Sequence, residues 1–179
     1  MNILSDYVRE ATASIVEINL GGQPLTGATR DFSKRGAPWE NIDSQMDGFV
    51  ALCSVLDKVQ KISLADCHLG PASAAELGKA ISDANASINS LTIDSTNDMD
   101  NKTYTLAAHM DRIDLTSLSL GQEDVSLIAN WFTAIDFSTE LKSIQYDGAL
   151  MSHDGNSLLH LLRMLLCTQP RPKLSQQHV

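Results

Sequence analysis

The chain has 179 residues, 43% hydrophobic and 20% charged, a composition that suits one folded unit and excludes a disordered tail-like protein. Acidic residues outnumber basic ones 22 to 13, a net charge of −9 that disfavours generic nucleic-acid or anionic-membrane binding and makes a basic partner surface electrostatically easier. Aromatics make up only 5%, so the core must be built from Leu, Ile, Val and Ala.

Cys53, Cys67 and Cys167 are odd in number and widely spaced, which argues against a disulfide framework and points to a reducing, cytoplasmic setting. The opening MNILSDYVRE carries charge by its sixth residue and has no basic segment leading into an apolar run, so no signal peptide is expected. No apolar run has the length of a membrane-spanning helix.

After an N-terminal helical cap over about 2–13, one spacing template recurs along the chain. Apolar residues at offsets 0, 3, 5, 8 and 10 begin at positions 15, 59, 88, 110 and 141, as in Val59, Ile62, Leu64, Cys67 and Leu69. Of the 25 template positions 22 are apolar, against about 11 for the background composition. Offsets 1, 2 and 4 are polar in 14 of 15 cases, the two-residue alternation of a strand with one buried face.

Helical patterns follow the strands. Asp43 or Ser44 is placed to cap a helix carrying Met46, Phe49, Val50 and Cys53. Pro71 suits the first turn of a helix carrying Ala75, Leu77, Ala80 and Ile81. Val125, Leu127, Ile128, Trp131, Phe132 and Ile135 form the stripe of another. Asp154 opens a last helix that Pro170 stops, and residues 169–179 read as a disordered tail.

The copies are 44, 29, 22 and 31 residues apart. The 22-residue unit lacks room for a full helix, so a single turn or loop is expected there. The 44-residue unit holds an inserted loop over about 27–41.

The stretch VQKISLADCHL resembles a leucine-rich repeat, and its continuation through a helix resembles the ribonuclease-inhibitor-like subclass. The resemblance covers residues 13 to 168. It implies an α/β fold: a right-handed leucine-rich-repeat solenoid of about five strand–turn–helix repeats, with a parallel sheet on the concave face and helices on the convex face. Residues 1–168 would form that single domain.

Such a fold implies a protein–protein interaction module with a protein partner, its oligomeric state open and a monomer favoured; no cofactor, metal, nucleic acid or membrane is expected. The side chains offered by the concave strands are Glu17, Asn19, Lys61, Ser63, Thr92, Asp94, Arg112, Asp114, Gln145 and Asp147. A second surface is the 27–41 loop with Arg30, Phe32, Arg35 and Trp39, since aromatic and Arg residues anchor interfaces. The same aromatics could instead fold back over the end of the array. The other readings are a structural or autoregulatory domain of a larger receptor, effector or actin-end-cap-like system, and a Cys- or His-dependent hydrolase or transferase.

Catalytic signatures are missing. No His pair has the i, i+4 spacing of a helical metal site, and no phosphate-binding glycine loop or nucleophile elbow occurs. Ser152-His153-Asp154 holds the letters of a hydrolase triad, but sequence neighbours cannot form that relay. Cys67 falls on the buried turn position of the repeat, a structural role.

Overall fold

The computed structural model describes residues 3–11, 14–33, 37–83, 88–96, 102–134, 143–146 and 149–152. Along the chain run α1 (Ile3–Glu10), β1 (Ile15–Asn19), β2 (Thr29–Arg30), β3 (Trp39–Glu40), α2 (Asp47–Cys53), a 3-10 turn (Leu56–Lys58) and β4 (Val59–Leu64). Then come α3 (Pro71–Asp83), β5 (Ser90–Asp94), β6 (Thr103–Ala107), β7 (Arg112–Asp114), α4 (Gln122–Ala134), β8 (Ser143–Tyr146) and β9 (Ala149–Ser152).

The strands form three sheets, ordered β1-β4-β5-β6, β2-β3 and β7-β8-β9. Where strands pair in parallel, they do so in the register of the spacing template: Ile15 opposite Val59, Ile62 opposite Leu91, and Ile113 opposite Ile144. Alternation then sends Ile62, Leu64, Leu91 and Ile93 to one face, where they meet Leu77 and Ile81 of α3 and Val125, Leu127 and Trp131 of α4 in a continuous core. Burying each such side chain contributes about 1.5–3 kcal/mol. α3 and α4 lie close because Gly78 has no side chain: a Cβ there would sit 3.0 Å from the Asn130 amide and 3.5 Å from the Leu127 Cα. Lys58 ties α1 to the sheet by donating to the Arg9 and Ala11 carbonyls.

The leucine-rich-repeat solenoid expected from the sequence is overturned by this topology. β6 pairs antiparallel with β5 and closes the parallel run after three strands. β7 does not follow β5 but starts a separate sheet, in which β9 is antiparallel to β8. The protein is a mixed α/β fold, not one parallel sheet curving through five repeats.

What the short unit is made of explains the break. A parallel neighbour needs a crossover of a dozen or more residues, normally a helix, whereas an antiparallel one needs only a turn. The 22-residue unit has no helix to spare, so the segment expected to be a turn or loop becomes a strand, TYTLA, with Tyr104 and Leu106 buried and Thr103 outside. The 27–41 segment is likewise not a bare loop, because it carries the β2–β3 ladder, Thr29 opposite Glu40 and Arg30 opposite Trp39.

α2 also starts differently from the sequence reading. Its N-cap is Met46, with no side-chain cap bond, and Asp43 is used elsewhere. The helix expected after Asp154 and the tail 169–179 lie outside the described residues. Among the described residues no helix is long and apolar enough to cross a membrane.

Candidate functional site

The strand-face residues divide between two sheets. Glu17, Asn19, Lys61, Ser63 and Thr92 share the uncovered face of the first sheet, in the rows Glu17–Lys61–Ser90 and Asn19–Ser63–Thr92. Arg112, Asp114 and Gln145 stand on the second. Asp147 lies outside the described residues.

Many of these groups are already occupied within the fold. The Thr92 and Thr105 hydroxyls bond each other at 2.9 Å, and Asn19 accepts from the Gly21 amide. Arg112 donates to Gln145 and stands 3.6 Å from Asp114. Asp114 accepts from the amide and hydroxyl of Thr116, which hold its carboxyl below the usual range.

Asp94 has to be withdrawn from the surface. It is 2% exposed and accepts hydrogen bonds from the amides of Asp66 at 2.6 Å and His68 at 3.1 Å. The cause is the turn that ends β4. Asp66 (φ +58°) and His68 (φ +53°) both adopt the left-handed conformation, and their N–H groups need an acceptor. Because Leu64 pairs with Ile93, the next residue of β5 is carried directly to that turn. Burial raises the Asp94 pKa, and the bonds from those backbone amides oppose the rise.

This turn is the platform for the hairpin. The Trp39 ring stacks on the His68 imidazole with centroids 3.5 Å apart and planes 25° apart. Phe32 stands edge-on to Trp39 at 6.3 Å, and the Arg30 guanidinium lies 5.9 Å from the Trp39 ring centre. His68 is itself buried, its Nε2 3.5 Å from Asp66.

The base of the hairpin is held as firmly. Asn41 donates to Thr29, Gln45 to the Thr26 carbonyl, and the Asp43 carboxylate accepts from the amides of Gly70, Ala72 and Ser73 at the start of α3. The basic-aromatic segment is therefore docked at two points, Trp39 on His68 and Asp43 on α3, while Phe32 stays 82% exposed at its tip. Arg35, the remaining loop residue singled out from the sequence, lies outside the described residues.

No family model, curated protein or solved structure matches this chain.

The two described thiols, Cys53 and Cys67, are buried. Cys67 is fully buried and donates to the Leu20 carbonyl, with burial raising its pKa to about 11. Burial and the nearby Glu76 charge raise Cys53 to about 12. Both are expected to resist iodoacetamide at pH 8 in the native state and to react fully in denaturant, as read by peptide mass spectrometry. Rapid native labelling of either would show that its surroundings open readily. Among the described residues no cluster of His, Cys, Asp and Glu is arranged to hold a metal.

Neither His68 nor the second attachment of Asp43 is legible in the sequence, whose spacing places Asp43 as a cap for the helix carrying Met46 and not for α3. Trp39 and His68 are 29 residues apart, and nothing in either local pattern announces their contact.

Proposed function

We propose that this chain is a protein-binding module without catalytic chemistry of its own, whose partner seats on the docked β2–β3 hairpin with the open polar strand face beside it. The observation that carries this reading is Phe32, held in solvent by a stacked chain of rings that ends on a buried imidazole. An exposed aromatic costs free energy in water, and one fixed by packing loses little entropy on binding. The strand face serves as the rim, because so many of its polar groups are satisfied within the fold. Two buried free thiols fit a reducing, cytoplasmic setting, and the net charge of −9 argues against nucleic acid.

The test uses the full chain as bait in quantitative pull-downs. Phe32→Ala is expected to lower capture of the principal partner about 30-fold, the loss of an anchor worth about 2 kcal/mol, whereas Lys61→Ala changes it less than threefold. A partner that both variants retain at the wild-type level would sink the reading.

A further inference from the structure

We infer that two copies of this chain pair through β1, edge to edge and antiparallel about a two-fold axis, joining their first sheets into one. The pairing is independent of the hairpin and replaces the monomer expected from the sequence.

The open edge follows from the register of β1 on β4. β1 ends its sheet, and among the described residues no strand lies beyond it. The amides of Leu20 and Gly22 donate to the Ser63 and Ala65 carbonyls, so the even-numbered residues of β1 turn their backbone groups toward β4. By alternation Ile15, Glu17 and Asn19 turn theirs outward, a row of donors and acceptors suited to another strand. Val16, on the core side of the same strand, is 61% exposed where Ile18 is 9%.

The residues of β1 select a second copy as the occupant. With Ile18 on the axis, Glu17 faces Asn19 of the partner copy as a hydrogen-bonded pair on the polar side, and Val16 meets the partner copy's Leu20 on the core side. Asn19 already accepts from the Gly21 amide through its Oδ1, which leaves its Nδ2 to donate to the Glu17 carboxylate across the axis. Centring the pairing on Glu17 instead would set two carboxylates directly opposite each other. Local charge permits the approach: α1, β1 and β4 hold Arg9 and Lys61 against Asp6, Glu10 and Glu17, a net of −1, while the chain carries −9.

A five-residue strand pair is too small to hold two molecules, since stable interfaces cover about 800 Å² per partner. More apolar area lies at the same end of the molecule. α1 packs on α2, α2 on α3 and α3 on α4, so the helix layer ends at α1 where the sheet ends at β1. There Leu4 and Val8 turn into the core, while Ile3 and Tyr7, one helical turn apart, stay 82% and 70% exposed.

Sedimentation equilibrium of the full chain over a wide range of concentration tests this. The wild-type chain is expected to show a monomer–dimer equilibrium. Val16→Lys and Asn19→Asp should each weaken it by about tenfold or more; Asn19→Asp keeps the acceptor for Gly21 but sets carboxylates against each other twice across the axis. Adding Glu17→Gln to Asn19→Asp should restore the affinity to within about threefold of wild type, and Phe32→Ala should leave it unchanged. Thermal midpoints equal to wild type, read at dilutions where it too is monomeric, establish that the variants are folded. A chain that stays monomeric throughout overturns the inference, as does a dimer that survives Val16→Lys and Asn19→Asp. Failure of Glu17→Gln to restore the dimer overturns it as well, since the pairing of Glu17 with Asn19 defines the register, and loss of the dimer in Phe32→Ala would move the interface to the hairpin.

Discussion

Asp124→Ala is expected to lower the unfolding free energy by about 3–5 kcal/mol, the range for stripping a buried acceptor from a set of four buried and half-buried donors. Asp124 is fully buried in the first turn of α4. Its Oδ2 accepts from the Gly121 amide at 2.7 Å, the Thr96 amide at 2.9 Å and the Thr96 hydroxyl at 2.8 Å, and its Oδ1 accepts from the Tyr104 hydroxyl at 3.1 Å. One carboxylate thus joins the start of α4, the segment after β5, and β6. The bond to Gly121 is the back-reaching half of a capping box, third helical residue to cap amide. Burial raises the Asp124 pKa and the four donors oppose the rise, so the side chain's worth lies in the donors it satisfies. Alanine leaves all of them without this acceptor, the Tyr104 hydroxyl in a buried position and the Gly121 and Thr96 donors half-buried. Asp124→Asn keeps the shape and part of the acceptor capacity and should cost about half as much, whereas Tyr104→Phe removes a single donor and should cost about 1 kcal/mol. Urea unfolding of the three variants reads the order. If Asp124→Ala is no more damaging than Tyr104→Phe, the carboxylate does not organise this junction.

The place of Asp124 shows which parts of the fold the sequence carries and which it does not. Fourteen residues into their template copies, Ser73 and Asp124 occupy equivalent positions, and both reach back to the glycine amide that precedes their helix. Short-range rules of this kind are legible: strand period, parallel register and the helix started by Pro71 all follow from spacing within a few tens of residues. What spacing does not convey is how many units stack. That depends on what each connection is made of, and the one between β5 and β7 carries the alternating strand TYTLA in place of a helix, so β6 turns back and the parallel run stops at β5. The candidate site divides along the same line. Arg30, Phe32 and Trp39 stand out as residue types that anchor interfaces, and the structure brings them together. Asp94 reads as a surface residue by its strand offset, yet it is drawn inward by two left-handed residues of the adjoining turn, whose conformation no periodicity announces. His68 looks like an ordinary neighbour of a buried cysteine until Trp39 is seen against it.

The attachment of the hairpin to α3 leads to the second large effect, expected from Gly70→Ala. A Cβ at position 70 would lie 2.5 Å from the Asp43 carboxylate and 2.6 Å from the Ile42 Cγ2, closer than packed atoms approach, so the returning arm of the hairpin must move. Asp43 cannot shift freely, because its carboxylate also accepts from Ala72 at 2.8 Å and from the Ser73 hydroxyl at 2.7 Å, and its backbone is already left-handed at φ +60°. Moving it strips the cap from α3, so Gly70→Ala should cost about 2–3 kcal/mol, the sum of overpacking and a lost cap. Asp43→Ala removes the cap alone and should cost about 1–2 kcal/mol. The double variant decides the cause: with the carboxylate already gone the methyl has no cap left to strip and only its clash with Ile42 remains, so the pair should cost close to Gly70→Ala by itself, a coupling of about 1–2 kcal/mol in urea unfolding. Simple additivity would mean that the methyl acts through Ile42 or the helix itself and that Asp43 does not hold the hairpin to α3. With coupling present, Gly70→Ala should also weaken partner capture, because Phe32 and Arg30 are presented by a hairpin whose lower attachment has been prised away.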